Sequence, residues 1–433
     1  MISHIPFTGV TRIGVLASIA ALLFSSPVWS QDKDVSAQAK SRLIALKDGK
    51  EELTDADKKT LEQAAKFQFR RLTQEKYWRK PPPEGLTLDQ WMEQDIFKYM
   101  PVPTPQKPLN ENQQKYMAAF LETYRAPIED ALHHPEAIVR VNAARILARI
   151  AESGQEKAAK DILQVLNDKK QIDAVKEWMF HGLEGLFNAS YWTAAIPGGQ
   201  RPNRRAFKDE ALEDQCIQAL VDFILRKPNL GPNASEEEIK GLQYVRRAAI
   251  RALAVTRLPA IIVKKQFVGT PTSLVLVRVV ANDGLTPPAS ISERLEAAIG
   301  LCQLQSNLAD NYQPDYAAHA VGLFLVDLAK EYNDKRGAKG GEIKPYPWKW
   351  WAGRLEAALQ GWKEANPKSA TSSGDYIEKL GDKYKSVLLT VGKEQGTVDV
   401  NDLKSWLRTP PPNTALFKNH PETAVKPAES AEN

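Results

Sequence analysis

The chain has 433 residues, 43% of them hydrophobic, with Lys+Arg 58 against Asp+Glu 53 and a net charge of +5. That length and apolar content suffice for a large core or for an extended stack sharing one core. The charge excess is mild and no long single-sign run occurs, so nothing marks a nucleic-acid binder, and two cysteines are too few for a disulfide scaffold.

Residues 1–30 read as a signal peptide. Arg12 is their only charged group, residues 13–24 (IGVLASIAALLF) are an apolar run too short for a comfortable span, and Val28-Trp29-Ser30 places small or modest residues before a cut at Gln31. The expected location is therefore the periplasm or the outside of the cell. No later segment is long and apolar enough to cross a membrane, so the mature chain is expected to have no span.

Residues 31–108 read as a helical N-terminal extension. A polar helix lies within 31–50. A stronger one starts at Thr54, with acids early and bases late, as the helix dipole favours. Pro81-Pro82-Pro83 ends it, residues 86–99 form a short helix, and PVPTPQKP from Pro101 is a rigid linker.

Residues 109–408 are helix after helix. The best formed is 134–151, HPEAIVRVNAARILARIA, with Pro135 placed where a first-turn proline is tolerated. Val139, Ala143, Ile146 and Ile150 make one apolar stripe, and Ala143 and Ala144 let a neighbouring helix approach. Helices follow at 155–166, 172–187, 209–225 and 236–256, with 189–207 read as a loop carrying Tyr191, Trp192, Arg201, Arg204 and Arg205. SLVLVRVV, within 270–284, is rich in β-branched residues and alone reads as a strand. Its all-helical neighbours, with Thr272 able to cap and Gly284 to terminate, favour a helix. The series closes with 290–305, 315–332, 348–364, 376–390 and a short helix at 398–407. From Thr409 the chain is proline-rich and polar, and is expected to be a disordered tail.

A repeat emerges when these helices are aligned on Val139-Arg140. One offset carries Arg140, Lys176, Arg246, Arg294 and Arg354; another carries Leu147, Leu183, Leu253 and Leu301, expected to lie buried between stacked units. RLEAA occurs twice, beginning at Arg294 and at Arg354.

VRVNAARIL and VRRAAIRAL, the first preceded by HPE, resemble the second helix of HEAT repeats. The resemblance covers residues 110–366. It implies an all-α fold, an armadillo-like α-solenoid of stacked helix pairs, acting as a non-catalytic scaffold for another protein, here one of the cell envelope. The family's arginine usually pairs with an Asp about six residues earlier. His134, Lys170, Lys240, Pro288 and Trp348 stand there in this chain. Carbonyls or acids at unit boundaries are the alternative partners for Arg140, Arg246, Arg294 and Arg354.

Candidate chemistry is sparse. Glu129, Asp130, His133 and His134 hint at a metal cluster, but adjacent histidines at a helix turn cannot face one ion, so no metal or other cofactor is expected. Glu177, His181 and Glu184 share a helix face without the HExxH order, and read as a solvated face. GAKGGEIKP, from Gly337, has no strand feeding it and reads as a loop. Cys216 and Cys302 read as buried thiols, with one bridge as the alternative. The ligand-binding candidates are the basic-aromatic group Trp192, Arg204 and Arg205, and Trp350. In the cluster Trp348-Lys349-Trp350-Trp351, Trp348 and Trp351 share a face with Leu355 and should be buried, while Trp350 points away. A helical polysaccharide binder or an enzyme on a solenoid would be the other classes.

Overall fold

A computed structural model describes residues 34–78, 87–192, 205–228, 230–231, 233–337, 346–367 and 372–425. Residues 1–33, which include the expected signal peptide, lie outside this description.

The N-terminal extension comprises α1 (Ala37–Lys47), α2 (Asp55–Thr73), the single turn α3 (Glu75–Trp78) and α4 (Leu88–Asp95). Thr54 opens α2 through a reciprocal capping box with Asp57. The helix expected to run on from Thr54 is broken at Gln74, whose backbone is extended (ψ 122°). Then come α5 (Glu111–Leu132), α6 (Ala137–Ala151), α7 (Ala158–Asn167), α8 (Asp173–Trp192), α9 (Glu210–Leu225), α10 (Glu236–Ala254), α11 (Thr272–Ala281), α12 (Ile291–Gln303), α13 (Pro314–Gly337), α14 (Trp348–Ala365), α15 (Ser372–Lys393) and α16 (Asn401–Leu407). Ser235/Glu238 and Ser290/Glu293 cap α10 and α12 by the same box, which is why those starts are sharp.

Packing sorts these helices into two rows. One runs α6, α8, α10, α12, α14, each against the next; the other runs α7, α9, α11, α13. α7, α9, α11 and α13 also pack across onto the first row, and α15 lies against both α13 and α14. α5 covers α6 at the N-terminal end and packs in turn against α1 and α2, with α2 also reaching α6. The chain is thus all-helical apart from one small hairpin among the described residues.

The first row is spaced by missing side chains. A Cβ on Gly182 of α8 would sit 3.1 Å from the Ala148 backbone of α6, and one on Gly300 of α12 would sit 2.7 Å from Ala254 of α10. Counted from Val139, Val175, Val245 and Glu293, the two glycines occupy one offset and the two alanines another. Leu147, Leu183, Leu253 and Leu301 are all fully buried, as are Val139, Ala143, Ile146 and Ile150.

Four local expectations change. Pro135 lies before α6, because extended Glu136 occupies the cap position. The loop expected from Ala189 begins later: α8 continues through Tyr191, whose hydroxyl donates to the Thr256 carbonyl (2.6 Å) in the core. SLVLVRVV is indeed helical, but Pro271 precedes α11 without a side-chain cap and left-handed Asn282 (φ 56°) ends it. All-round burial of its apolar residues overrides their strand preference. Between α10 and α11, where the sequence pattern predicts no element, Ile262–Val263 (β1) pairs antiparallel with Gln266–Phe267 (β2). Lys264 and Lys265 turn it at φ 50° and 67°, conformations that hairpins usually assign to Asn-Gly.

The expected disordered tail is ordered up to Val425. Leu416 and Phe417 are buried, Phe417 meets Phe267 edge-on at 4.8 Å, and the Tyr316 hydroxyl donates to the Val425 carbonyl (2.8 Å). Buried Asp315 accepts hydrogen bonds from Asn413 and from Ser373 (2.7 Å). A few well-placed apolar groups and one satisfied carboxylate hold a segment whose average composition is polar. Residues 426–433 lie outside the description.

Candidate functional site

The repeat-position arginines act between helices. Arg246 of α10 grips Glu293 of α12 (2.5 and 3.2 Å) and also donates to the carbonyls of Pro287 and Pro288. Arg354 of α14 donates to Glu296 of α12 through both terminal guanidinium nitrogens, Nη1 and Nη2 (2.7 Å each). Arg294 reaches the Val280 carbonyl (2.8 Å) and Asp327 of α13 (2.5 Å). The partners are therefore carbonyls and acids on neighbouring elements. The buried Nε of Arg140 has no hydrogen-bond partner among the described residues. Lys176 is buried, and desolvation, aided by nearby Arg226, pulls its ammonium pKa down.

A second set of contacts crosses the first row and forms a continuous ribbon. It starts at Asp89 on α4, which accepts from Arg145 on α6. Arg145 lies over the Trp178 ring of α8 (5.2 Å), and Trp178 lies beside His181 (5.5 Å). His181 sits between Glu177 (3.5 Å) and Glu184 (3.7 Å). Glu184 accepts from Arg251 of α10 (2.8 Å). Glu177 also faces the Tyr244 hydroxyl of α10, and Arg247 lies over the Tyr244 ring (5.1 Å). Arg145, His181 and Arg251 occupy one repeat offset, so successive helices bring them side by side. Tyr244 is 52% exposed although aromatic.

The two carboxylates raise the His181 pKa from 6.5 to about 9, against the effect of burial. Burial pushes the Glu184 carboxyl up, but His181 and Arg251 outweigh it and leave the pKa lowered. At neutral pH His181 is an imidazolium held in an ion-paired row, with no lone pair available to bind a metal or abstract a proton. Because the folded-state value is raised, the stability it contributes is fully present below about pH 6.5 and is lost as pH rises through about 9. The wild type should therefore lose melting temperature between pH 6.5 and 9 relative to His181→Gln; parallel curves over that window would remove this assignment.

The sequence-derived ligand candidates fare unequally. Trp350 is 54% exposed and stacks on Arg354 (4.5 Å to the ring centre). Trp348 and Trp351 are buried edge to face. Arg205 is committed to Glu213 (3.0 Å) and Asp214, so as a free phosphate grip it is corrected to an internal anchor of α9. Trp192 is the last residue of α8; its side chain, Arg201 and Arg204 lie outside the described residues, as does the glycine-rich stretch 338–345. His133 donates through Nδ1 to the Glu129 carbonyl, and His134 Nδ1 accepts from the Glu136 amide, both satisfying the turn. No group of three His, Cys, Asp or Glu side chains among the described residues is placed to hold a metal ion. Cys216 and Cys302 are free, buried thiols, and desolvation pushes Cys216 up to about 12. No helix of the described residues is long and apolar enough to cross a membrane.

The spacing puts Glu177, His181 and Glu184 on one helix face but reads that face as solvated, whereas the three side chains are largely covered and ion-paired; Trp178, Tyr244, Arg145 and Arg251 were missed, although the shared offset of Arg145, His181 and Arg251 was available. Comparison with known protein families, curated proteins and solved structures found no match.

Proposed function

We propose that this protein is an exported, non-catalytic α-solenoid of HEAT-like helix pairs that binds another protein of the cell envelope. The observation that carries the reading is the ribbon across α6, α8 and α10, with exposed Tyr244 at its edge and arginines beside the aromatic rings. Arginine, tyrosine and tryptophan are the residues that dominate binding energy at protein interfaces. The two rows of helices, and the glycine-to-alanine approach repeated at the α6–α8 and α10–α12 seams, support tandem repetition. Export rests on residues 1–30 alone. The ribbon's ionisable groups are paired with one another, which suits recognition better than acid-base work.

The test is affinity capture from the native envelope fraction with the mature chain, run beside Tyr244→Ala and Trp350→Ala. A specific partner should be retained by the wild type and reduced about tenfold or more by Tyr244→Ala, with the melting temperature unchanged. Equal capture by all three chains would place the interface elsewhere, and no capture at all would remove the scaffold reading.

A further inference from the structure

A cavity of about 390 Å³ opens between α5, α6, α7 and the α7–α8 connection, away from the ribbon. Its apolar lining comes from Ile128, Leu132, Leu147 and Val165. That volume lies within the range of small-ligand sites.

Its polar lining holds three carboxylates against two permanent cations, Arg125 and Lys170. The last turn of α5, with Ile128, Glu129 and Leu132, and the last turn of α7, with Gln164 and Val165, both border it. Two helix C-termini thus bring the negative ends of their dipoles to one place. Three carboxylates, Glu129, Asp161 and Asp168, line the same space. Of the lining cations, Arg125 already bridges Asp161 (3.1 Å) and Glu122 (3.4 Å), and Lys170 is exposed at the edge. His133 is occupied by the Glu129 carbonyl. Gln171, only 8% exposed, donates through Nε2 to the Leu132 carbonyl (2.8 Å), which fixes its amide. Its Oε1 is buried with no hydrogen-bond partner, an acceptor left over in the cavity wall. Burial raises the Asp161 carboxyl, and Glu129 and Glu122 add to that against Arg125, as expected where negative charge is crowded and poorly hydrated.

We propose that this cavity binds a small organic cation, an amine whose apolar body fills the space between α5 and α7 and whose ammonium group lies among the two helix C-termini, Glu129 and Asp161. Neutral and anionic molecules of the same shape lack the charge that the mouth selects.

The probes are hexylamine, hexanol and hexanoate, titrated into the full mature chain and followed by calorimetry and by shifts of amide resonances. Hexylamine should bind saturably at one site per chain, about tenfold or more tighter than either analogue, with shifts confined to the ends of α5 and α7. Glu129→Lys reverses a charge on an exposed side chain and should weaken hexylamine about tenfold while the melting temperature holds. Gln164→Trp, also exposed, should cover the mouth and block all three probes. The proposal is overturned if hexylamine shows no saturable binding up to about 10 mM, if hexanoate binds equally well, or if Glu129→Lys leaves hexylamine affinity unchanged.

Discussion

Arg246→Ala should be among the most damaging substitutions in the chain, lowering stability by about 3–5 kcal/mol. Arg246 and Glu293 are 3% and 0% exposed, and both guanidinium edges are engaged by the carboxylate and by two backbone carbonyls. Removing the arginine strands a buried carboxylate whose remaining donors are the Ser290 amide (2.7 Å) and hydroxyl (2.9 Å). Arg246→Lys should recover only part of the loss, because an ammonium cannot present the planar fork. The double variant Arg246→Met/Glu293→Met should regain most of it, lacking chiefly the Glu293 half of the α12 capping box, worth about 1 kcal/mol, while Ser290 still caps the helix. Denaturant midpoints measure all three. A single variant within about 0.5 kcal/mol of wild type would mean that the pair does not join α10 to α12.

Trp351→Ala should cost a similar amount, about 3–5 kcal/mol, as large buried aromatics do. Its ring meets Trp348 at 5.4 Å and 82° and lies 5.6 Å from Tyr346, so truncation opens a void beside two other large side chains. Trp350→Ala, one residue away, should cost no more than about 1 kcal/mol, since it loses an exposed ring and its stacking on Arg354. Adjacent tryptophans with nearly opposite outcomes are what a helix demands when one face is covered and the other is wet. Comparable losses at both positions would show Trp350 to be packed as well.

Helix starts were legible wherever a side chain could close a local ring of hydrogen bonds, as at Thr54, Ser235 and Ser290. The burial of Leu147, Leu183, Leu253 and Leu301 followed from one repeated offset. What escaped was decided by distant partners. α8 continues through Tyr191 because that hydroxyl finds a carbonyl in another helix. The hairpin turns on two lysines whose positive φ is favoured by no feature of the side chain. Half of the ribbon was visible as the spacing of Glu177, His181 and Glu184. The other half, Arg145, Tyr244 and Arg251, lies on separate helices and becomes one surface only when the row is stacked.

The return of the C-terminal segment over Asp315, Tyr316 and Phe267 bears on the order in which the molecule can be completed. Helices joined only to their sequence neighbours can form, and fray, one after another. Here the hairpin between α10 and α11 and the start of α13 are clasped by residues about a hundred or more positions later in the sequence. Until Phe417 and Val425 are available, Phe267 lacks its aromatic partner and the Tyr316 hydroxyl its acceptor. The clasp therefore joins segments that could otherwise open separately into a single cooperative block.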